Sequence, residues 1–265
     1  MCSKKVVALL LVLGIGASTY ALANQVNKKG LFGGTIEQNV VYAKSDATDV
    51  SENNSQLSRT EDEAIKEKSA EVLKKYFNIT PSENSKFSST VISENTLNDL
   101  KEKELKMIKE AYENKKISDE EFNKQTEDVE KNNSGLHETI SKLKHGVIQT
   151  AWMDGDNCYL IFFNENTKEA EYVIAGDGES ASETSLDLSE EEVKNTAEEF
   201  IKEYKLGDIE HPKCILVKGK HVYYQEENDP TKKVEVTVGK NSGKVYAFRT
   251  KAYADMDYAE EINEK

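Results

Sequence analysis

The chain has 265 residues, 37% of them hydrophobic and 32% charged, with a formal net charge of −14. That is room for one medium domain or two small ones around a modest core. Only Arg59 and Arg249 are arginines among the 35 basic residues, which argues against nucleic acid as a partner, because phosphate binding needs clustered positive charge.

MCSKKVVALLLVLGIGASTYALAN opens the chain with Lys4 and Lys5, an apolar run from Val6 to Ala17, and Ala21-Leu22-Ala23. This is the outline of a secretory signal peptide, residues 1–23, cleaved after Ala23 to leave an extracytoplasmic protein, secreted or associated with the cell envelope. As an uncleaved anchor, Val6 to Ala23 would just span a thin bilayer, and membrane contact is expected only in that case. Residues 24–57 are polar and read as a tether.

The first helix is expected from about Thr60 to Phe77, with Ile65, Ser69, Val72, Leu73 and Tyr76 on one face and Thr60 with Glu63 as a capping box. A second helix starts at Ser189, capped with Glu192, and carries Val193, Ala197, Phe200, Ile201 and Tyr204. The two faces superpose at an offset of 128, Ile65 on Val193 and Tyr76 on Tyr204, which marks a repeat. Four strands are expected after each helix: KFSSTVI, VIQTAWM, NCYLIFF and EAEYVIA in the first copy, and KCILVKG, HVYYQEE, KVEVTVG and GKVYAFR in the second. The last hairpin turns at Asn241-Ser242-Gly243, and its looser copy at Asn166-Thr167-Lys168 lies at an offset of 75. The drop from 128 to 75 implies that about 53 residues are inserted inside the first copy. Residues 96–146 fit that length and read as a helical hairpin, with a further short helix near Leu136 to Leu143 and Ser118 with Glu121 as its internal capping box. As an insertion that leaves the core of a small scaffold intact it is expected to project as the partner-facing arm, and its thin apolar stripe makes it the least stable element.

A helix followed by four antiparallel strands, closing on V-T-V-x-x-N-S-G-K-V-Y, resembles the PepSY family of small bacterial exported domains. Residues 189–251 carry the resemblance through the S-E-E-E-V helix start, Tyr223-Tyr224 and Asn241-Ser242-Gly243-Lys244-Val245. The first copy departs from it at Lys168, which replaces the turn glycine. Within the insertion, L-K-M-I-K-E-A-Y-E-N-K-K-I-S-D-E-E-F resembles the short helical SHOCT motif, with Lys115 where a glycine is usual. The expected fold is α+β: two PepSY-like repeats, residues 58–176 and 189–251, each a helix on a four-stranded antiparallel sheet. A linker, 177–188, separates them, and an acidic tail, 252–265, follows. The resemblance implies an extracytoplasmic setting, a role in modulating a peptidase or sensing the envelope, and no catalytic residues.

The residues themselves bring little chemistry. There is no G-x-S-x-G elbow and no His-Glu-x-x-His pair. His137 lies in a charged helical stretch and His211 and His221 flank a strand, all three as solvated side chains. Gly30 to Gly34 lacks the strand and Gly-Lys-Ser/Thr of a phosphate loop and reads as part of the tether. Asp154-Gly155-Asp156-Asn157 is explained by a hairpin turn more simply than by calcium. Trp152, Tyr159, Tyr172, Tyr223 and Tyr224 could line a carbohydrate or peptide groove, or face the core. Cys158 and Cys214 either pair in an oxidising compartment or stay buried as free thiols. No catalytic, cofactor-binding or metal-binding residue is assigned. Three readings follow: a non-enzymatic interaction or regulatory module with a protein partner in the cell envelope, a spacer without a specific ligand, and a carboxylate-dependent envelope hydrolase. The first leads, because motifs for the third are absent.

Overall fold

A computed structural model of the chain describes residues 57–155, 157–176 and 186–263. The expected signal peptide, all of the tether but Leu57, residues 177–185 of the linker and Asp156 lie outside them. The described residues form an α+β fold with five α-helices and an eight-stranded antiparallel sheet. They divide into two compact units, residues 95–139 and the sheet unit of 57–94 with 140–263.

In the sheet unit, α1 (Arg59–Phe77) leads into β1 (Lys86–Ile92), and β2 (Val147–Asp154), β3 (Asn157–Asn164) and β4 (Ala170–Ala175) follow the insertion. Then come α4 (Glu190–Tyr204), a 3-10 turn (Leu206–Asp208), β5 (Pro212–Lys218), β6 (His221–Glu226), β7 (Asp229–Val238), β8 (Val245–Thr250) and α5 (Lys251–Asn263). The strand order β1-β2-β3-β4-β8-β7-β6-β5 makes two four-stranded meanders that join through their last strands, Val173 of β4 opposite Phe248 of β8. One sheet therefore serves both halves. Burying its helix-facing side requires both helices, and Ile65, Val72 and Leu73 of α1 share a core with Val193, Ala197, Phe200 and Ile201 of α4. Sharing supplies what a half of about 60 residues buries only marginally by itself.

Local chemistry accounts for the helix ends. Ser189 caps α4 and Glu192 returns a hydrogen bond to it, as the spacing predicts. In α1 the capping box is Ser58 with Glu61, not Thr60 with Glu63: Ser58-x-x-Glu61 offers the same chemistry two residues earlier, and the helix extends to use it. Both helices end on a left-handed residue, Asn78 and Lys205. The largest departure from expectation is the C-terminal segment. Residues read as an acidic tail form α5, with Tyr253 and Ala254 buried. The ring of Tyr253 packs against Phe162 and Tyr172, on the face of the sheet opposite α1 and α4.

The second unit is a helical hairpin of α2 (Leu97–Glu113) and α3, which starts at Asp119 and continues unbroken to Leu143, so the further short helix expected near Leu136 is part of α3. Ile108, Ala111, Ile117 and Val129 form its core, with Leu105 and Phe122 at the margin. Ser118 and Glu121 make the expected capping box between the helices. Asn133 Nδ2 donates to the Leu97 carbonyl at 3.1 Å, closing the open end of the hairpin. Among the described residues no helix is long and apolar enough to cross a membrane.

Candidate functional site

The five strand aromatics do not line a groove. Trp152, Tyr159 and Tyr224 belong to the core beneath α1 and α4, where Trp152 Nε1 donates to Ser69 Oγ at 2.7 Å and the Tyr224 hydroxyl to the Lys194 carbonyl at 2.7 Å. Tyr172 and Tyr223 alternate to the other face and are covered by α5: the ring of Tyr172 packs at a tilt against Tyr253, and the Tyr223 hydroxyl donates to Asp257 at 2.5 Å.

Beneath α5 lies a buried ionic network. Arg249 of β8 bonds Glu235 of β7 at 3.0 Å and Asp257 of α5 at 2.9 Å, and it also donates to the Tyr172 hydroxyl at 3.1 Å. Glu235 is fully buried and also accepts from Thr237 at 2.6 Å and faces His221 Nδ1 at 2.9 Å. Burial alone would raise the Glu235 carboxyl, but Arg249 and His221 hold it below its ordinary value. Asp257 goes the other way, because burial outweighs the attraction of Arg249. The network fastens α5 to the sheet.

The expectation of solvated histidines is corrected at His221, which is half-buried against Glu235. His211 is exposed, but its Nδ1 stands 3.4 Å from the buried Glu226, whose other oxygen accepts the backbone N–H of Glu210 and of His211. His145 meets the buried Glu171. Asp154 is occupied as a turn residue, accepting from the Ser82 hydroxyl at 2.6 Å, which holds its carboxyl below the usual range. Among the described residues no three His, Cys, Asp or Glu side chains converge as metal ligands. Cys158 and Cys214 are both free. They lie on β3 and β5, five strand spacings apart in the sheet order, roughly 24 Å and far beyond disulfide reach.

The feature best suited to a ligand is an open groove of about 510 Å³ where the C-terminal ends of α1 and α4 meet. Tyr76 and Tyr204 form its aromatic wall, with ring centroids 5.1 Å apart. These are the superposing last-turn residues of the two helices, so the helical repeat carried the signal, although periodicity alone placed them with the core. Lys68, Lys75, Lys205 and Lys251 converge on the groove, against Glu71, Glu169 and Asp208. Lys75 is engaged with the ring and hydroxyl of Tyr76. Lys205 makes no ion pair with a described residue, and Lys251 is bonded to Glu169. That pairing lowers the Glu169 carboxyl, while Glu169 and Glu171 raise the Lys251 ammonium above its ordinary value despite its partial burial. In a chain of net charge −14, this is a local concentration of ammonium groups beside two half-buried aromatic rings. Such a site can hold a carboxylate through charge and an apolar or aromatic side chain through packing.

No protein-family model matches the chain, and no curated protein matches it in sequence. Among solved structures it is similar to the Bacillus megaterium YpeB C-terminal domain, at 10% sequence identity and a TM-score of 0.40, over 75% of this chain and 65% of that one. The chain thus spans about 65% of the length of that domain.

Proposed function

We propose that the chain is a non-enzymatic interaction module of the bacterial cell envelope, built from two PepSY-like repeats, which holds an acidic segment of a protein partner in the groove between α1 and α4. The observation that carries this reading is the convergence of Lys68, Lys75, Lys205 and Lys251 around Tyr76 and Tyr204 in an otherwise acidic protein. A regulatory role follows from occupancy of the groove, and the family resemblance makes an envelope peptidase the first class of partner to try. The location outside the cytoplasm rests on the pattern of residues 1–23.

The exposed edge β5 is a weaker docking place. It opens with Pro212, which lacks an N–H, carries Lys213 and Lys218 near its ends, and is bulged between Cys214 and Leu216. These are the devices by which edge strands resist pairing with another chain. The test is fluorescence anisotropy with a labelled peptide alternating glutamate and tyrosine. Saturable binding should weaken with salt, because exposed charges are screened. Reversing Lys68 and Lys205 to glutamate should weaken it tenfold or more, about 1.4 kcal/mol. Absence of saturable binding overturns the reading. Binding that survives both reversals but is lost on deletion of residues 95–139 moves the site to the helical hairpin.

A further inference from the structure

Two pairs of residues that superpose in the sequence also meet in space. Tyr76 and Tyr204, at the offset of 128, have ring centroids 5.1 Å apart, and Val173 and Phe248, at the offset of 75, stand opposite each other across β4 and β8. Equivalent residues that face each other across antiparallel strands define an approximate two-fold axis. Phe248 also packs edge-on against Tyr76 at 4.9 Å, so the axis through the strands runs through the tyrosine pair as well.

The pair therefore has two flanks, and their charge is not repeated. The groove is the first flank, with Lys68 and Lys75 of α1. The equivalent positions on α4 hold Thr196 and Glu203, while Glu71 is matched by Glu199. The difference reaches the rings themselves. Lys75 Nζ donates to the Tyr76 hydroxyl at 3.1 Å, whereas the Tyr204 hydroxyl donates to Glu203; burial and then that bond raise the Tyr204 phenol above its ordinary value. Lys194 and Lys202, the cations of α4, are taken up by Glu191 and Glu198. Glu199 and Glu203 are exposed and make no ion pair with a described residue. Against them stands only Lys244, at the place where the first flank has Glu169.

We propose that the tyrosine pair reads charge order: the bound segment crosses it with an acidic residue on the Lys68 and Lys75 flank, an aromatic or apolar residue over the rings, and a basic residue on the Glu199 and Glu203 flank. This rests on the groove reading above and narrows it, since the partner's acidic segment continues across the rings into a basic one. A segment acidic throughout gains at the first flank and is repelled at the second, and a basic segment meets the reverse. A chain of net charge −14 also repels a wholly acidic ligand on approach, so a segment carrying both signs loses least before contact.

The test is fluorescence anisotropy with three labelled peptides of equal length. The split peptide has two glutamates, a tyrosine and two lysines in that order; the alternated peptide has the same residues with the signs interleaved; the third is the acidic glutamate and tyrosine peptide. The wild type should prefer the split peptide over the alternated one by about threefold, the scale of one exposed ion pair. Glu203→Lys should remove that preference and tighten the acidic peptide. Exchanging the charges, Lys75→Glu with Glu203→Lys, should restore the preference, because the split peptide can lie across the pair the other way round. Both positions are exposed, and thermal melts check that the variants remain folded. Equal affinity of the wild type for the split and alternated peptides, or a preference unchanged in Glu203→Lys, overturns the reading of charge order; saturable binding of the acidic peptide in the same experiment leaves the groove standing. If none of the three peptides binds, the groove reading fails and the charge order falls with it.

Discussion

Lys168 and Gly243 occupy the same place in two hairpin turns with the same hydrogen bonds. Lys168 N–H donates to the Asn164 carbonyl at 2.9 Å, and Gly243 N–H to the Gly239 carbonyl at 2.7 Å. Each turn is closed by a second bond of 2.9 Å, from Asn164 to Glu169 and from Gly239 to Lys244. Both residues have left-handed backbones, with φ of 58° and 66°. The strands beside both turns are also bulged at matching positions, between Phe162 and Phe163 and between Thr237 and Val238.

Because a side chain at positive φ is strained by about 1–2 kcal/mol, Gly243→Val should destabilise the sheet unit by at least that much. Its Cβ would also stand 3.2 Å from Leu186 Cδ1. Lys168→Gly should act in the opposite sense, relieving about 1 kcal/mol of the same strain, less the entropy that glycine adds to the unfolded chain. Urea denaturation of the two variants checks both signs.

Arg249→Met should cost about 3–5 kcal/mol, because it leaves the fully buried Glu235 without its permanent counter-charge. The double replacement Arg249→Met with Glu235→Leu should recover most of that loss. Thermal melts of the single and double variants decide it; equal losses in both would show that packing around the guanidinium matters more than its charge.

In the helical hairpin, Glu104 is 2% exposed and its Oε1 has no hydrogen-bond partner among the described residues. Lys101, which lines the same gap, is paired with Glu130. Burial pushes the Glu104 carboxyl up to about 7. A raised carboxyl favours the folded hairpin at acid pH, fully so below its ordinary value of 4.5, and that stabilisation is lost as the pH rises through about 7. Hydrogen exchange in α2 and α3 should therefore quicken between pH 5 and 8, beyond the intrinsic rate. Glu104→Gln should flatten the response.

The two thiols should remain free under air. Their strands are too far apart to bridge, and burial pushes the Cys158 thiol up to about 11, which disfavours the reactive thiolate at neutral pH. A chain lacking residues 1–23 should titrate two thiols, and a reductant should leave its melting temperature unchanged.

What the sequence by itself determined was local. Capping chemistry and 3.6-residue spacing located α1, α4 and the hairpin, and Ile65, Ser69, Val72 and Leu73 are buried in register with Val193, Ala197, Phe200 and Ile201. Two-residue alternation and turn residues located the eight strands, because both signals act within a few residues of chain. Alternation also separates Tyr172 and Tyr223 from Tyr159 and Tyr224, but it cannot say that the segment after Thr250 will cover the first pair. That segment lacks a clean apolar stripe, and its helix is held by Arg249 and Tyr223 reaching Asp257. The joining of β4 to β8, the groove at the helix ends, and the meeting of His145, Glu171 and Lys251 were decided only by tertiary structure. They depend on which edges pair and which faces stack, and the free energy of those choices comes from burial shared between residues far apart in the chain, which no local pattern encodes.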